Sequence, residues 1–235
     1  MGGRSVLSIK ELASGRLVYS ILASSIGYNP DDYAPLYAAK REGGLFALLV
    51  AIILSQNTND RNAIAAFEEL RREAGVTVDS LAVKDPASIE KAIRRAGLYR
   101  QKARTIVEAA RLFARLGGEE YLQRADSSEL RELLSSIKGI GRKTVDVFLA
   151  VTGKEKVFAV DTHAFRVARR WGLVQLGSSY EETSRALLEF FGPENADEAH
   201  RLIIALGRKY CTARKPRCEI CPLKHLCPSA LRVSR

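Results

Sequence analysis

Apolar residues recur at helical spacing along most of the chain. Ile64, Phe67 and Leu70 follow one another at steps of three, and two further stretches repeat the i, i+3, i+4, i+7 pattern of an amphipathic helix. These stretches are Ile106, Ala109, Ala110 and Phe113, and Leu130, Leu133, Leu134 and Ile137. Gly153 and Gly172 interrupt the pattern where helices are expected to end. Since the period-two alternation of half-buried strands is scarce, the pattern predicts an all-α fold.

The longest apolar run extends from Leu45 to Leu54. Its ten residues are far fewer than the ~20 that a membrane-spanning helix needs, so the run is predicted to be a buried core helix. The residues after Met1 are mixed rather than typical of a signal peptide, and no association with a membrane is expected. The protein is therefore expected to be intracellular, where cysteines stay reduced.

Charge changes the picture near the C-terminal end. The 37 lysines and arginines outnumber the 27 aspartates and glutamates, which gives a net charge of +10. Most of that excess lies after position 200, where Glu219 is the one acidic residue. The basic residues there are Arg201, Arg208, Lys209, Arg214, Lys215, Arg217, Lys224, Arg232 and Arg235. Such a segment favours a polyanionic partner, nucleic acid before a membrane surface, although a solvated basic face has the same composition.

The four cysteines of the chain lie in this same segment, with the spacing C-x6-C-x2-C-x5-C: Cys211, Cys218, Cys221 and Cys227. In a reducing compartment such a set predicts a metal site rather than disulfides. Zinc and a [4Fe–4S] cluster both accept four thiolates, and zinc ribbons tend to use two CxxC pairs far apart, so the spacing favours iron–sulfur and leaves zinc open. The metal would pin the ends of a cationic loop suited to binding phosphates, which contains Arg214, Lys215 and Arg217.

A glycine-containing turn joins two predicted helices between Ile137 and Thr144. Gly139 and Gly141 allow positive φ and the close approach of another backbone, and the second helix begins near Arg142. The free N–H groups and the positive end of that helix suit a phosphate, as in a helix-hairpin-helix that binds DNA through its backbone. A plain tight turn between two helices is the alternative interpretation.

Three polar residues in or after this turn have roles that the pattern alone leaves open. A short apolar run ends at Asp161, which would serve as the N-cap of the next helix. Lys143 would be a phosphate contact, and His163 a structural histidine with satisfied hydrogen bonds.

Taken together and in order, three motifs resemble the endonuclease III family of base-excision DNA glycosylases. They are Gly139-Ile140-Gly141-Arg142-Lys143-Thr144, then Val160-Asp161-Thr162-His163, then the stretch from Gly207 to Cys227. The similarity extends from about Phe46 to Cys227, and the cysteine spacing matches the cluster loop of that family. The resemblance therefore implies a [4Fe–4S] cluster bound by the four cysteines.

The resemblance also implies an architecture of two helical lobes with a DNA-binding groove between them. Residues 36–155 would form a six-helix barrel that contains the helix-hairpin-helix, and residues 1–35 and 156–235 would form the iron–sulfur cluster lobe. The implied partner is double-stranded DNA with a damaged base or an abasic site, bound by a monomer. The implied location is the nucleoid, in the cytoplasm of a prokaryote.

Individual residues take roles from the same resemblance. Lys143 matches the catalytic lysine of the family, which attacks C1′ of the sugar, and Asp161 matches its catalytic aspartate. Gln56 matches a glutamine that fills the gap left by the flipped nucleotide, and Leu98 a leucine that wedges into the opposite strand. Without the resemblance, Gln56 would be a surface polar residue and Leu98 a core residue. The remaining DNA contacts are expected from Gly139, Gly141, Arg142, Arg214, Lys215 and Arg217.

The implied activity is that of a DNA glycosylase with AP lyase activity through β-elimination, with oxidised pyrimidines as the expected lesions. One alternative is a monofunctional mismatch glycosylase, but such enzymes lack the hairpin lysine. A non-catalytic iron–sulfur DNA-binding module is another, but it would not need both Lys143 and Asp161. A small iron–sulfur electron carrier would have neither this length nor the basic tail. One departure from the family concerns the lesion pocket, since Asn59 stands where an aspartate is expected unless Asp60 takes its place.

Overall fold

The computed structural model describes residues 7–233, and within that range the chain consists of α-helices joined by turns and short 3-10 segments, with no β-strand. The all-α prediction is thereby confirmed. None of the helices in this range is both long enough and apolar enough to cross a membrane. In chain order the α-helices are α1 (Ile9–Leu12), α2 (Gly15–Ser25), α3 (Ala34–Glu42), α4 (Leu45–Ser55), α5 (Asp60–Ala74), α6 (Val78–Ala82), α7 (Pro86–Ile89), α8 (Tyr99–Leu116), α9 (Gly118–Arg124), α10 (Ser127–Ser136), α11 (Arg142–Val151), α12 (Thr162–Arg170), α13 (Tyr180–Phe191), α14 (Ala196–Lys209) and α15 (Pro228–Val233).

The described chain divides into two compact units. The terminal unit falls within Met1–Tyr28 and Lys156–Arg235, and the central unit is Asn29–Glu155. The first boundary therefore lies after position 28, whereas the sequence analysis places it after position 35. The backbone N–H of Ala34 donates to the carboxylate of Asp60 at 3.3 Å, which ties the segment before α3 to the central unit. That the central unit is a six-helix barrel and the terminal unit a cluster lobe stays a prediction.

Helix α4 forms the middle of the central unit. Every residue from Phe46 to Leu54 is buried, and α4 contacts α3, α5, α8, α9 and α11. The carboxylate of Glu119 accepts hydrogen bonds from the backbone N–H groups of Leu45 and Phe46, so a negative charge stands at the positive end of the helix. The buried core helix predicted for this apolar run is confirmed.

An aromatic cluster forms the core of the terminal unit. The rings of Phe158 and Phe191 stack with centroids 6.0 Å apart, and Trp171 packs against Phe191 at 6.1 Å. Ile9 is fully buried in the same core, and its backbone N–H donates to the carbonyl of Trp171 at 2.8 Å. The N-terminal helices are therefore part of one core with the helices that follow Lys156.

Candidate functional site

The predicted hairpin connects α10 to α11 in the central unit. Gly139 has a φ of +98°, and a Cβ there would lie 2.3 Å from the hydroxyl oxygen of Thr105. The same hydroxyl donates to the carbonyl of Lys138 at 2.9 Å, which fixes the turn against α8. The positive φ expected of Gly139 is confirmed, but the group that approaches it is a side-chain hydroxyl and not the backbone that the sequence predicts. The positive φ and this close approach each require glycine.

Gly141 differs from the expectation. Its φ is −91°, which any residue adopts, and no described atom beyond its chain neighbours lies within 4 Å of the position of a Cβ. Neither backbone conformation nor a neighbouring protein group therefore requires glycine here. The expectation of a positive φ at Gly141 is wrong. The sequence also does not reveal that the space beside this residue is open.

Helix α11 presents Arg142 and Lys143 to solvent in its first turn. One turn further along the same face, the side chain of Asp146 is 2% exposed and forms an ion pair with Arg131 of α10 at 2.7 Å. Arg131 also pairs with Glu155 at 2.8 Å. The helix is thus held by its buried acid, and the lysine that precedes it by three residues stays exposed.

Gln56 contacts the hairpin directly. Its side-chain amide donates to the carbonyl of Gly139 at 3.1 Å and to the hydroxyl of Thr144 at 3.0 Å. Gln56 is half-buried, so its interpretation as a plain surface polar residue is wrong. Thr144 was not among the predicted site residues; it follows the catalytic candidate Lys143 in the chain and accepts a hydrogen bond from this glutamine.

Leu98 is an exposed apolar residue, with 55% of its surface accessible, so its interpretation as a core residue is wrong. It has a φ of +46° at the N-cap of α8. Within residues 7–233 the other non-glycine residue with positive φ is Asn57, which follows Gln56. A strained backbone of this kind is typical of functional sites. In this chain it marks the two loops that carry Gln56 and Leu98.

Lys102 of α8, which the sequence analysis did not single out, contacts the backbone two residues before Gln56 and two residues before Leu98. It is 2% exposed, and its ammonium donates to the carbonyls of Leu54 at 2.8 Å and Ala96 at 2.7 Å. Burial lowers the pKa of Lys102 to about 8. A signal was present in the sequence, since Lys102 stands four residues before Ile106 on the apolar face of its helix.

Asp161 is the N-cap of α12 in the terminal unit. Its carboxylate accepts a hydrogen bond from the backbone N–H of Ala164 at 2.7 Å, so the N-cap interpretation is confirmed. The bond also orients the half-buried carboxylate and is compatible with a chemical role. His163 contacts the guanidinium of Arg166 through Nδ1 at 2.9 Å, which fits a structural histidine.

The cysteine segment lies in the same unit, with Cys211, Cys218 and Cys221 half-buried and Cys227 buried. Burial raises the pKa of the Cys221 thiol to about 11, and the charges of the other three cysteines act in the same direction. Backbone hydrogen bonds from Leu223 to Cys221 and from Ser229 and Ala230 to Cys227 act in the opposite direction and lower the pKa of these two thiols.

This environment fits thiolates bound to iron. The positive charge of a bound metal deprotonates thiols that burial would keep neutral, and N–H···S bonds stabilise cluster thiolates. Within residues 7–233, no group of three or more His, Cys, Asp or Glu side chains forms a site for a single metal ion. The fit to a cluster therefore rests on the environment of the sulfurs.

The cationic loop between Cys211 and Cys218 is held from α12. Arg170 donates to the sulfur of Cys211 at 3.1 Å, to the carbonyl of Thr212 at 2.8 Å and to that of Ala213 at 3.0 Å. The loop residues beyond these bonds are exposed, including Arg214, Lys215 and Arg217. The bonds and the cysteines thus fix the ends of a loop whose cations face solvent.

Arg201 does not belong to this exposed basic surface. It is buried, forms an ion pair with Asp197 and donates to the hydroxyl of Tyr28 at 2.9 Å. Its positive charge is neutralised inside the terminal unit, so counting it toward a polyanion-binding patch is wrong. The side chain of Arg232 and the whole of Arg235 lie outside the described residues.

Asn59, which stands where the family pattern has an aspartate, has a clear structural role in this chain. Its side chain accepts a hydrogen bond from the backbone N–H of Asn62 at 2.9 Å, as the N-cap of α5. Asparagine and aspartate are equally good N-caps, so the local structure does not need the expected aspartate. Asp60 does not take over this cap, because its carboxylate accepts from Ala34.

Known families and relatives match this arrangement. The model of the HhH-GPD superfamily of base excision DNA repair proteins matches residues 50–193, and that of the iron-sulfur binding domain of endonuclease III matches residues 211–227. Endonuclease III of Sulfolobus acidocaldarius is 34% identical over 211 residues, which cover 89% of this chain and 93% of that protein. The chain belongs to the endonuclease III family.

Further members of the family are similar to this chain in sequence or in structure. Endonuclease III of Thermotoga maritima is 36% identical over 187 residues, which cover 80% of this chain and 84% of that protein. A solved structure of a trapped endonuclease III–DNA covalent intermediate has a TM-score of 0.77 and 28% identity, and the match covers 97% of this chain and 100% of that one. A thermostable thymine-DNA glycosylase, with 17% identity and a TM-score of 0.71, shares the fold.

As a member of the endonuclease III family, the chain is a base-excision repair DNA glycosylase that also has AP lyase activity, and it binds DNA. This decides against the monofunctional glycosylase, the non-catalytic binding module and the electron carrier. It also decides for a [4Fe–4S] cluster over zinc, since the matched iron–sulfur domain begins at Cys211 and ends at Cys227.

Metal content provides a direct measurement. We expect the purified protein to be brown and to contain about four iron atoms per chain. Replacing Cys221 with serine should lower both the visible absorbance and the iron content, because an alcohol is a poorer ligand for iron than a thiolate. Elemental analysis that finds one zinc and no iron per chain would contradict the cluster.

Proposed function

We propose that this enzyme removes oxidised pyrimidines from double-stranded DNA and then cleaves the strand at the abasic site, with Lys143 as the nucleophile and Asp161 as its acidic partner. The observation that carries the proposal is the position of Lys143, exposed in the first turn of α11 directly after the hairpin. There the amine lies at the N-terminus of α11, whose positive end suits a DNA phosphate. The lesion class is the one that the family resemblance implies.

The chemistry needs a neutral amine at Lys143. Its nitrogen attacks C1′, the glycosidic bond breaks and the base departs with its electron pair, which a proton then neutralises. Opening of the sugar ring leaves a Schiff base between C1′ and the lysine nitrogen. Loss of the proton on C2′ then expels the 3′ phosphate by β-elimination and cuts the strand.

Asp161 assists by its charge. Its carboxylate would take up the proton that Lys143 loses, or stabilise the positive charge that develops on the sugar as the base departs. The hydrogen bond from the backbone of Ala164 supports this role, because it holds the carboxylate in one orientation before DNA arrives. Such preorganisation lowers the barrier without adding to substrate affinity.

The flipped nucleotide leaves a gap that side chains must fill. We assign Gln56 to the gap and Leu98 to the opposite strand as the wedge. The exposure of Leu98 supports this assignment, because its side chain is accessible to the opposite strand. The strained backbone at Leu98 and at Asn57 supports it as well.

Phosphate contacts would supply most of the affinity for DNA. We assign them to the hairpin and the cationic loop, in which the contacting residues are Gly139, Gly141, Arg142, Arg214, Lys215 and Arg217. The open space beside Gly141 supports a close approach of the DNA backbone there. We further infer a monomer that acts on the nucleoid in the cytoplasm of a prokaryote, supported by relatives from bacteria and archaea.

A panel of duplexes tests the proposal, each with one oxidised pyrimidine, oxidised purine, uracil, T·G mispair or abasic site. We expect excision and strand cleavage on the oxidised pyrimidine and cleavage at the abasic site, with both complexes trapped by borohydride, which reduces the Schiff base. An undamaged duplex is the control. Excision without trapping would contradict the role of Lys143, and preference for another base would contradict the lesion class alone.

A further inference from the structure

Helix α8 carries two buried polar side chains that the proposed chemistry does not use. Lys102 and Thr105 are each 2% exposed, and their spacing of three residues places them on one face of the helix. An apolar side chain at position 102 would avoid the cost of taking an ammonium out of water. The presence of lysine therefore needs an explanation in what its ammonium contacts.

Lys102 connects two loops of the central unit. Its ammonium donates to the carbonyl of Leu54 at 2.8 Å and to the carbonyl of Ala96 at 2.7 Å. Gln56 follows the first of these carbonyls by two residues, and Leu98 follows the second by two. One buried cation thus fixes the backbone just before each residue that would enter the DNA.

Thr105 extends this connection to the hairpin. Its hydroxyl donates to the carbonyl of Lys138 at 2.9 Å, and the carbonyl of the next residue, Gly139, accepts from the Gln56 amide at 3.1 Å. The hydrogen bonds therefore run from α8 to both loops and to the hairpin, and from the hairpin back to the first loop.

We propose that Lys102 and Thr105 are positioning residues that hold the gap-filling Gln56, the wedging Leu98 and the hairpin in fixed places relative to one another. This inference rests on the proposed roles of Gln56 and Leu98. Both loops contain a non-glycine residue with positive φ, Asn57 and Leu98, and such backbone persists only where surrounding bonds over-determine it. The ammonium of Lys102 supplies such bonds to both loops.

The choice of substrate separates positioning from catalysis. An abasic site in a duplex needs the wedge and the gap-filling residue, whereas a single-stranded abasic oligonucleotide has no opposite strand and needs neither. Lys102→Met keeps the aliphatic stem and removes the ammonium. We expect it to slow cleavage of the duplex substrate by about tenfold to a hundredfold, since misplacement by ~1 Å can have this effect, and to leave the single-stranded substrate within about twofold of the parent. Thr105→Val should act in the same direction and more weakly.

Lys154→Met is the matched control. The ammonium of Lys154 also donates to two backbone carbonyls in the central unit, those of Gln123 at 2.8 Å and Ala125 at 2.7 Å, but neither precedes a residue assigned to DNA. The substitution removes the same kind of bonds. Both substrates should be cleaved within about twofold of the parent rate.

A double-mutant cycle provides a second readout. If Lys102 acts through the wedge, adding Lys102→Met to Leu98→Ala should slow duplex cleavage less than adding it to the parent. Equal slowing in both backgrounds, or equal loss on duplex and single-stranded substrates, would overturn the proposal. Should Lys102→Met not fold, Lys102→Gln replaces it, because its amide keeps a donor, and the ratio of the two substrates decides in the same way.

The parent enzyme tests the underlying function separately. Borohydride trapping on single-stranded abasic DNA depends on the amine of Lys143 and not on the loops. Its absence in the parent would refute the proposed chemistry. Its presence, together with an unchanged duplex rate in Lys102→Met, would refute the positioning role alone.

Discussion

Replacing Lys143 with alanine should abolish borohydride trapping and strand cleavage on every substrate, because no Schiff base forms without the amine. The loss of cleavage should exceed about a thousandfold, as expected for the group that forms the covalent bond. The fold should be unaffected, since Lys143 is exposed in the first turn of α11 and alanine is the best helix former. Gel analysis of trapped complexes and of cut strands measures both effects.

Lys138→Ala is the matched control for this variant. Lys138 is an exposed lysine of the same hairpin, and its contact with Thr105 is made by the backbone carbonyl, which the substitution keeps. Both variants lose one positive charge near DNA and should lose some affinity at low salt. Only Lys143→Ala should lose trapping. Full trapping in that variant would mean that another amine is the nucleophile.

Much of the fold could be predicted because helices depend on local spacing. The apolar run from Leu45 to Leu54 and the start of a helix near Arg142 are properties of adjacent residues, and the structure has both. Motif order and cysteine spacing, which are also local, identified the family. The positive φ of Gly139 was predictable because glycine is common where a short turn needs it, but the same reasoning failed at Gly141.

The buried polar contacts of the site could not be predicted, because their partners are remote in sequence. Lys102 binds the carbonyl of Leu54, 48 residues away, and Gln56 binds Thr144, 88 residues away. Without the family resemblance Leu98 would be assigned to the core, because a pattern of residue types does not reveal a positive φ at a leucine. Tertiary contacts impose that conformation, and the sequence shows only that a lysine interrupts an apolar face.

Charge counts indicated the right partner but included a wrong residue. Arg201 adds to the basic excess, yet its ion pair with Asp197 is buried on α14. Arg214 and Lys215 of the cationic loop carry the same formal charge, and their side chains are exposed. Burial distinguishes a charged side chain that is available to bind DNA from one that stabilises the fold. Because burial is a property of the folded chain, a count of charges in the sequence cannot make this distinction.

The Asp161→Asn variant should separate binding from turnover. Asparagine is as good an N-cap as aspartate, so α12 and the thermal stability of the protein should be retained. DNA affinity should stay within a few fold of the parent, because phosphate contacts supply most of it. Base excision should nevertheless fall by about a hundredfold or more, since the lost carboxylate acts on charge that develops only in the transition state.

Asp126→Asn provides the matched control, because Asp126 caps α10 by the same bond, accepting from the backbone N–H of Glu129 at 2.9 Å. This variant makes the same chemical change at an exposed cap to which we assign no chemistry, and its excision rate should equal that of the parent. Single-turnover excision and equilibrium binding, measured on the same duplex, compare the two variants. If Asp161→Asn excises damaged bases as fast as Asp126→Asn, then Asp161 acts only as the N-cap of α12. The proton of Lys143 must in that case be taken up by another group.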